Sequence, residues 1–428
     1  MKTQRIVISD GGFRPVLAFD QLVLNADVQA TLKEYAAPTP VQAACWPPLL
    51  MGRDVVGIAA TGSGKTMGFA VPAVQALSPQ DAKKKAPSVL VLSPTRELAM
   101  QIMVQFEKFK HMRSVCIYGG VAKYDQRQAF RAGVDVVVAT PGRMIDLLEE
   151  DPALFDLTQI SYLVLDEADR MLDCGFEQSL KKILPFLPTQ RQTVMFSATW
   201  PPAIQKLAET YLKDPVHVQV GSKDLSANAA ITQIVEVVQP DDKEGRLLQL
   251  LKKYHNGKNR VLVFALYKME ASRVENRLRR ANYNVGAIHG NLTQQQRSQA
   301  LDQFRTGVCP LLVATDVAAR GLDIPNVEVV INFTFPLTTE DYCHRIGRTG
   351  RAGAKGHAHT LFTHHDKAHS GALINVLREA KQPVPDDLMA FGTTVKKKLD
   401  PNYGAFCKDV DMSVKPTKIT FGDDDSDA

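Results

Sequence analysis

The sequence lacks the features that mark secreted, membrane-spanning and cysteine-dependent proteins. Its 428 residues contain no signal-peptide pattern and no apolar run long enough to span a bilayer. No two of its cysteines form a C-x-x-C pair, which argues against a zinc site or a redox motif, and scattered thiols fit a reducing intracellular compartment. The six cysteines are Cys45, Cys116, Cys174, Cys309, Cys343 and Cys407. A net charge of +5 permits an anionic partner without requiring one.

Short β-branched runs alternate with segments of helical periodicity along most of the chain. In the first half these runs are Asp54–Ile58, Ser88–Ser93, Ser114–Tyr118, Val134–Ala139, Tyr162–Leu165 and Thr193–Phe196. In the second half they are Ile231–Val238, Arg260–Leu266, Val285–Ile288, Leu311–Ala314, Val327–Asn332 and His357–Phe362. Strands that alternate with helices predict parallel sheets covered by helices on both faces. The fold class is therefore α/β, with two such domains in tandem.

The domain boundaries follow from a polar, aperiodic stretch between the two strand series. Residues 221–230, G-S-K-D-L-S-A-N-A-A, predict a flexible linker, and the alternative is a loop within one large domain. We therefore expect a first domain at residues 1–220, a second at 231–382 and a C-terminal tail at 383–428. The basic run Lys396–Lys398 and the acidic run Asp423–Asp427 are typical of a solvated tail.

Residues Ala59–Thr66 carry the pattern of a phosphate-binding loop. The stretch A-A-T-G-S-G-K-T follows an apolar run and precedes a helical segment, which is the required context. The glycines let backbone N–H groups approach phosphate oxygens, Lys65 can reach the terminal phosphates, and the Thr66 hydroxyl can bind Mg²⁺. The predicted nucleotide contacts are Thr61, Gly62, Ser63, Gly64, Lys65 and Thr66. The alternative is a glycine-rich turn without a ligand.

A second motif, which is acidic, follows a later strand of the first half. Leu163-Val164-Leu165 leads into Asp166-Glu167-Ala168-Asp169, and ligands of open parallel sheets bind beyond the carboxyl ends of the strands. Asp166 is the candidate to hold Mg²⁺, and Glu167 is the candidate to orient or deprotonate the attacking water. The alternative is a set of acidic helix caps.

Taken together, D-E-A-D and A-A-T-G-S-G-K-T resemble the motifs of DEAD-box ATP-dependent RNA helicases. The resemblance extends from about Phe19 to Phe362 and implies two tandem RecA-like domains. It also implies that Phe19 and P-T-P-V-Q at residues 38–42 recognise adenine. Phe19 would stack on the purine, and the Gln42 amide would supply one donor and one acceptor, which favours ATP.

Further motifs resemble the family's RNA-binding and coupling elements. P-T-R-E-L-A at residues 94–99, Gly119-Gly120 and T-P-G-R at 140–143 each follow a strand, and their donors suit phosphates. The resemblance implies that RNA is contacted by Thr95, Arg96, Gly119, Gly120, Thr140, Arg143, His289, Gly290, Arg297 and Thr315. It also implies that the coupling of hydrolysis to RNA involves Asp169, Ser197, Thr199, Arg320 and His344.

The second domain has no phosphate-binding loop of its own and is expected to complete the site of the first. H-R-I-G-R-T-G-R at residues 344–351 resembles the family's arginine-finger motif, with Arg348 and Arg351 nearest the γ-phosphate. Such arginines are worth roughly 10³–10⁵ in rate in related phosphoryl transfers. By resemblance, Asp323 binds the ribose and His344 bridges to Asp169. The alternative for this segment is a basic face on one helix.

The resemblance implies an ATP- and Mg²⁺-dependent RNA helicase that contacts the RNA backbone and acts as a monomer without a membrane partner. Phe391–Asp411 and Lys415–Phe421 resemble the tails of nucleolar members that process ribosomal RNA. We therefore expect a role in large-subunit assembly, with pre-ribosomal particles and protein activators as partners. The expected location is the nucleus and nucleolus, with the cytoplasm as the alternative. An ATP-gated RNA clamp, a DNA translocase and an inactive RNA-binding protein are the competing functions.

Overall fold

The computed structural model describes residues 6–60, 62–77, 86–221, 231–316, 327–350 and 354–393. Within this part of the chain, two separate sheets form two lobes. We define the first lobe as residues 6–221 and the second lobe as residues 231–393. No helix in the described ranges combines the length and the apolar character that a bilayer crossing requires.

The first lobe is built on an eight-stranded sheet. Its strands are β1 (Ile6–Ile8), β2 (Val55–Ile58), β3 (Val89–Leu92), β4 (Ser114–Ile117), β5 (Val136–Ala139), β6 (Tyr162–Leu165), β7 (Gln192–Ser197) and β8 (Val216–Val220). They lie in the order β1-β8-β2-β7-β6-β3-β5-β4, and every pairing is parallel except β1 with β8. The strands that carry the two phosphate-site motifs, β2 and β6, are therefore both neighbours of β7.

Nine helices cover this sheet within the described residues. They are α1 (Ala26–Leu32), α2 (Pro40–Leu50), α3 (Lys65–Ala76), α4 (Arg96–Phe106), α5 (Lys123–Arg131), α6 (Pro141–Glu150), α7 (Ala168–Asp173), α8 (Glu177–Ile183) and α9 (Pro202–Tyr211). Alternate residues of the strands β2, β3, β5, β6 and β7 enter different cores: Val89 and Val91 pack with Phe106, whereas Leu90 and Leu92 pack with Phe155. Burial on both faces explains why these strands are continuous apolar runs.

The second lobe is built on a six-stranded sheet that is parallel throughout. Its strands are β9 (Ile231–Val237), β10 (Arg260–Ala265), β11 (Val285–Ile288), β12 (Leu311–Thr315), β13 (Val327–Asn332) and β14 (Gly356–Phe362), in the order β11-β12-β10-β13-β14-β9. Its described helices are α10 (Lys243–Tyr254), α11 (Lys268–Arg280), α12 (Gln294–Thr306), α13 (Thr339–Ile346), α14 (Ser370–Glu379) and α15 (Asp386–Met389). Two further cores lie on the two faces of this sheet.

The predicted α/β class with two tandem parallel-sheet domains is confirmed. All twelve predicted strands are present, and the sequence analysis missed β1 and β8 at one edge of the first sheet. Within the segment predicted as a tail, Leu388 is buried in the second lobe and the Ser370 hydroxyl donates to the Gly392 carbonyl at 2.8 Å. The linker at 222–230 and the tail from 394 onwards lie outside the described residues, and the domain boundaries stay a prediction.

Within the described residues, ion pairs join the two lobes on two sides. On one side Arg297 of α12 forms an ion pair with Glu97 of α4 at 3.3 Å. On the other side α13 approaches α7, where Arg170 and Asp341 are separated by 2.5 Å. Each contact joins residues of different lobes, so the structure is a closed arrangement of the two.

Candidate functional site

The predicted phosphate-binding loop connects the carboxyl end of β2 to the start of α3. Gly62 and Gly64 have φ values of 73° and 94°, a left-handed conformation that favours glycine. A Cβ at Gly64 would lie 2.7 Å from the Gln42 amide nitrogen, so the close approach also requires glycine. The N–H groups that begin α3 face the same turn and favour an anion there. Thr61 lies outside the described residues.

The loop contains polar groups that are arranged for a ligand. Lys65 is buried and donates from Nζ to the Ala59 carbonyl at 3.0 Å. The Ser63 hydroxyl is buried and has no hydrogen-bond partner among the described residues. Thr66 is half-buried at the second position of α3. A buried hydroxyl without a partner is unfavourable in the free protein, so this loop suits an additional acceptor or donor.

The predicted adenine-recognition residues pack beside this loop. The Gln42 Oε1 accepts from the Thr39 N–H at 2.9 Å, and its Nε2 donates to the Gly64 carbonyl at 3.0 Å. A glutamine amide has two N–H donors and two acceptor lone pairs, so one of each remains. Phe19 is half-buried, with its ring 5.9 Å from that of Trp46. The indole of Trp46, which the sequence analysis missed, donates to the Met67 carbonyl at the start of α3.

The acidic segment lies beyond the end of β6, and its first two carboxyl groups are buried. Asp166 accepts from the Glu167 N–H at 3.0 Å. Burial raises the pKa of Asp166 to about 7, while the nearby Lys65 ammonium opposes this rise. Glu167 has a φ of 50°, which is uncommon for a residue with a side chain. Perturbed pKa values and strained backbone both concentrate at functional sites.

Asp169 connects the acidic segment to the end of β7 and to the second lobe. Its Oδ2 accepts from the Ala198 N–H at 3.2 Å, the Thr199 N–H at 3.0 Å and the Thr199 hydroxyl at 2.9 Å. The same oxygen lies 3.9 Å from Nε2 of His344 in α13. The Ser197 hydroxyl is buried without a hydrogen-bond partner in the described part of the chain. One carboxylate therefore contacts two of the other predicted coupling residues, Thr199 and His344.

The predicted arginine-finger segment begins within α13 and continues beyond it. The helix ends at Ile346, so Arg348 lies outside it and the basic helical face considered above does not form. Arg348 is buried, whereas Arg351, Arg320 and Asp323 lie outside the described residues. Arg345, which the sequence analysis did not select, is buried and binds Asp316 with two contacts at 2.6 and 2.5 Å. Arg345 therefore fastens α13 to the end of β12.

A cleft of about 510 Å³ lies beside the interlobe ion pair between Glu97 and Arg297. Its lining residues are Pro94, Thr95, Arg96, Glu97, Gly119, Thr140, Gly142, Arg143, Asp146, Phe176 and Arg297. Six of the ten residues predicted to bind RNA are among them. A seventh, Gly120, lies against the cleft residue Arg96, because a Cβ there would be 2.4 Å from its guanidinium.

Two of the three arginines of this cleft retain a donor that no described residue uses. The Nε atoms of Arg143 and Arg297 are buried without a hydrogen-bond partner within the described ranges. Arg143 is held by the Val121 carbonyl at 3.1 Å, and the Thr95 hydroxyl accepts from the Leu98 N–H at 3.2 Å. Fixed arginines with unused N–H groups suit phosphate oxygens.

Three predicted RNA contacts of the second lobe do not line this cleft. His289 is buried, lies 3.2 Å from the Ser272 hydroxyl, and burial lowers its pKa below the usual value. Gly290 is exposed, and Thr315 is buried at the end of β12.

The site residues as a set stay predictions. The sequence analysis did not select Glu97, Arg170 and Asp341. Their roles depend on contacts between lobes, for which the local sequence pattern carries no signal.

Comparison with known proteins identifies the class. Residues 39–207 match the DEAD/DEAH box helicase family and residues 242–353 match the helicase conserved C-terminal domain. The chain belongs to the DEAD/DEAH box helicase family, and the predicted family is confirmed.

The described residues contain no group of three or more His, Cys, Asp or Glu side chains able to hold a metal ion by themselves.

The curated relatives are similar over nearly the whole chain. ATP-dependent RNA helicase DBP3 of Saccharomyces cerevisiae is 56% identical over 431 residues, which cover 98% of this chain and 82% of that protein. The DBP3 helicase of Yarrowia lipolytica is 56% identical over 425 residues, covering 98% and 79% respectively.

Two solved structures resemble both lobes together. One is S. cerevisiae Dbp5 bound to RNA and ADP BeF3, with a TM-score of 0.74, 27% identity and coverage of 88% of this chain and 94% of that one. The other is DEAD-box helicase Mss116 bound to ssRNA and UDP-BeF, with a TM-score of 0.77, 27% identity and coverage of 89% and 82%.

Proposed function

We propose that this chain is an ATP-dependent RNA helicase that hydrolyses ATP when RNA binds and locally unwinds or remodels RNA duplexes or RNA–protein complexes. The family membership and the shared description of the relatives as ATP-dependent RNA helicases support this function. The observation that carries it is the approach of α13 to the acidic segment, with His344 3.9 Å from Asp169. In the proposed function, this approach would bring the nucleotide half-site of one lobe to the arginine segment of the other.

The first lobe supplies groups that suit a magnesium nucleotide. The turn at Gly64 and the Ser63 hydroxyl, which has no hydrogen-bond partner among the described residues, fit phosphate oxygens. The Thr66 hydroxyl and the Asp166 carboxylate are the hard oxygen donors that Mg²⁺ prefers. When bound, Mg²⁺ neutralises negative charge on the phosphate oxygens. Lys65 would exchange the Ala59 carbonyl for those oxygens, and the amide of Gln42 would read the base.

Hydrolysis would then depend on residues from both lobes. Glu167 would orient and deprotonate the attacking water, because it is buried beside Asp166 at the edge where the loop lies. Arg348 and Arg351 would place positive charge near the terminal phosphate, where charge develops in the transition state. Asp169 would contact both Thr199 of the first lobe and His344 of the second. The two half-sites would therefore meet only in the closed arrangement.

RNA would occupy the interlobe cleft through its backbone. Arg96, Arg143 and Arg297 line the cleft together with Gly119, and Gly120 adjoins Arg96. Their guanidinium groups would contact phosphate oxygens. Contacts of this kind predict low sequence specificity and strong salt dependence, and contacts to 2′-hydroxyls would distinguish RNA from DNA. Because the cleft includes residues of both lobes, RNA binding would favour closure and stimulate hydrolysis.

We propose further that the chain acts in ribosomal RNA processing and large-subunit assembly in the nucleolus. The support is the likeness of residues 391–411 and 415–421 to the tails of nucleolar family members. Crosslinking the protein to cellular RNA and sequencing the bound sites tests this role. Enrichment of messenger RNA instead of precursor ribosomal RNA would contradict it.

The catalytic assignment is tested by Glu167→Gln. We expect this variant to bind ATP like the wild type and to lose RNA-stimulated turnover, because an amide cannot accept the proton of water. Glu177→Gln is the matched control, since Glu177 is exposed on α8 and pairs only with Lys181 among the contacts described. Retained turnover in Glu167→Gln would refute the role of Glu167.

Duplex separation is tested with a short RNA duplex that carries a fluorophore and a quencher. We expect ATP-dependent displacement of the labelled strand by the wild type. RNA-stimulated ATP hydrolysis without displacement would instead favour an ATP-gated clamp, and equal stimulation by DNA would favour a DNA translocase.

A further inference from the structure

Arg170 follows the acidic segment directly and is almost completely buried. Only 3% of its side chain is exposed, and Nη1 lies 2.5 Å from Oδ1 of Asp341 in the second lobe. The same nitrogen lies 2.9 Å from Oδ2 of Asp173 in its own lobe. The Asp173 side chain is 54% exposed, whereas the Asp341 side chain is 7% exposed. Of these two carboxylate partners, the buried one belongs to the other lobe.

Asp341 is held rigidly at the first turn of α13. Its Oδ2 accepts from the Thr338 hydroxyl at 3.0 Å, and its own N–H donates to that hydroxyl at 3.0 Å. Thr338 is the N-cap of α13, so the carboxylate is fixed to the helix backbone through the cap. A contact made to Asp341 is therefore transmitted to the whole helix.

Two adjacent residues of the first lobe contact two residues one turn apart on α13. Asp169 faces His344, and Arg170 faces Asp341, three positions earlier. Residues three apart lie on the same face of a helix. Within the second lobe α13 is already fixed, since Arg345 binds Asp316 and Tyr342 is buried in the core. One contact with the first lobe would therefore leave the second lobe free to pivot, whereas two contacts at this spacing restrict the orientation of the lobes relative to each other.

We propose that the Arg170–Asp341 ion pair positions α13, and with it Arg348, for RNA-stimulated ATP hydrolysis. Both are positioning residues, since neither touches the nucleotide in this assignment. The inference rests on the helicase function proposed above and adds two residues that the known motifs of the sequence did not select.

The buried charge of Arg170 makes its ion pair with Asp341 necessary for closure of the two lobes. Burial by itself would lower the pKa of Arg170, but the carboxylates of Asp341, Asp169 and Asp173 raise it overall, so the guanidinium stays charged. Removing Asp341 would leave this charge in the closed interface without its buried partner. A buried charge that loses its partner is strongly unfavourable, whereas in the separated lobes water would solvate it. The loss therefore opposes closure and not the folding of either lobe.

The test compares two carboxylate partners of the same arginine in the full chain. We expect Asp341→Asn to lower kcat of the RNA-stimulated ATPase at least about tenfold, as for other truncated buried ion pairs, with an unchanged KM for ATP at saturating RNA. Asp173→Asn is the matched control and should keep the wild-type kcat. Equal effects of the two variants, or a wild-type kcat for Asp341→Asn, would overturn the proposal.

A binding measurement separates closure from folding. The probe is a fluorescein-labelled single-stranded oligouridine, titrated with AMP-PNP and Mg²⁺ or without nucleotide. Asp341→Asn should weaken the binding with AMP-PNP at least about fivefold and leave the nucleotide-free binding unchanged. Weakening under both conditions by the same factor would indicate a general defect and overturn the positioning role.

A double-variant cycle tests the pairing itself and guards against a misfolded single variant. Arg170→Met should reduce kcat like Asp341→Asn, and the double variant should be no worse than the poorer single variant, since residues in direct contact are not additive. Additive losses would overturn the pairing.

The wild-type measurement distinguishes failure of this inference from failure of the proposed function. If the wild type lacks RNA-stimulated hydrolysis, the proposed helicase function fails. If the wild type is stimulated and Asp341→Asn is unaffected, only the present inference fails.

Discussion

Glu167 combines a positive φ with a buried carboxyl group at the edge that carries the phosphate-binding loop. Four non-glycine residues with positive φ occur in the described part of the chain: Glu167, Asp214, Asn282 and Lys381. Glu167 alone among these four lies just beyond β6, two residues after Leu165. A backbone held in this conformation persists only where the surrounding structure imposes it. The strain therefore fixes where the carboxyl group points.

This strain predicts that catalysis and stability oppose each other at residue 167. Glu167→Gly should melt at a higher temperature than Glu167→Gln in the absence of nucleotide. Glycine accepts φ of 50° freely, and relief of about 1 kcal/mol corresponds to roughly 2–4 °C in a domain of this size. Thermal unfolding followed by circular dichroism measures the difference. Equal melting temperatures would show that the left-handed backbone is not strained.

Gly64 of the phosphate-binding loop is closely surrounded by the side chains of Gln42 and Thr39. Gly64→Ala should abolish measurable ATP binding, because the new Cβ would lie 2.7 Å from Gln42 Nε2 and 2.8 Å from Thr39 Oγ1. Gly245→Ala is the control: it lies in α10 with open space around it and should stabilise the helix by about 1 kcal/mol. Equilibrium binding of a fluorescent ATP analogue measures the nucleotide affinity of each variant. Wild-type affinity in Gly64→Ala would contradict the close packing.

Single residues differ in how well the sequence predicts them. Lys65 and Asp166 each follow a strand in a recognisable motif, so their position at the sheet edge could be predicted from order alone. Arg170 and Asp341 are separated by 171 positions and meet only because the lobes dock. No periodicity or turn chemistry encodes such a pair, and a buried arginine looks like any surface arginine until its partner is known.

Among the elements, buried parallel strands were predicted better than edge strands. Strands such as β3 and β6 are apolar on both faces and are therefore conspicuous in the sequence. The strand β8 alternates as V-H-V-Q-V and β1 has only three residues, so neither presents a continuous apolar run. The end of α13 at Ile346 was also not predictable, because its basic residues continue at helical spacing beyond it.

The seam between β14 and β9 predicts a pH dependence of stability. His359 on β14 is buried, lies 3.0 Å from Glu236 on β9, and burial lowers its pKa although Glu236 opposes this. A depressed pKa means that the neutral form fits the fold, so the contribution to stability is present above about pH 6.5 and is lost as the pH falls through the folded pKa. Acidification should therefore weaken the second lobe.

We expect His359→Gln to lose less stability than the wild type between pH 7.5 and pH 5.5. One proton taken up on unfolding changes the free energy of unfolding by at most about 1.4 kcal/mol per pH unit. Urea titrations at several pH values measure the slope. His364→Gln, at an exposed position, serves as the control and should follow the wild type. A parallel decline in His359→Gln and the wild type would exclude His359 as the source.

At the scale of the whole molecule, each lobe has its own sheet and its own pair of hydrophobic cores. No hydrophobic cluster described here contains residues of both lobes. The contacts between the lobes are polar, as with Glu97–Arg297 and Arg170–Asp341. Polar interfaces of this kind separate easily, so we expect bound ligands to stabilise the closed arrangement.

Residues 6–221 produced alone should therefore fold cooperatively but should not catalyse RNA-stimulated hydrolysis. The fragment keeps both cores of the first lobe and the phosphate-binding loop, and it lacks His344 and Arg348. Circular dichroism melting and an ATPase assay with and without RNA measure the two properties. RNA-stimulated turnover by the fragment would contradict the division of the active site between the lobes.

The cleft beside α4 takes its walls from both lobes, with Arg297 contributed by the second lobe and Arg96 by the first. If the lobes separate between catalytic cycles, as the proposed function requires, this channel would be open along its length. An RNA strand would then enter from the side, without threading from a terminus. A hairpin in the middle of a long transcript would be as accessible as one at its tip, including within a particle whose RNA ends are out of reach.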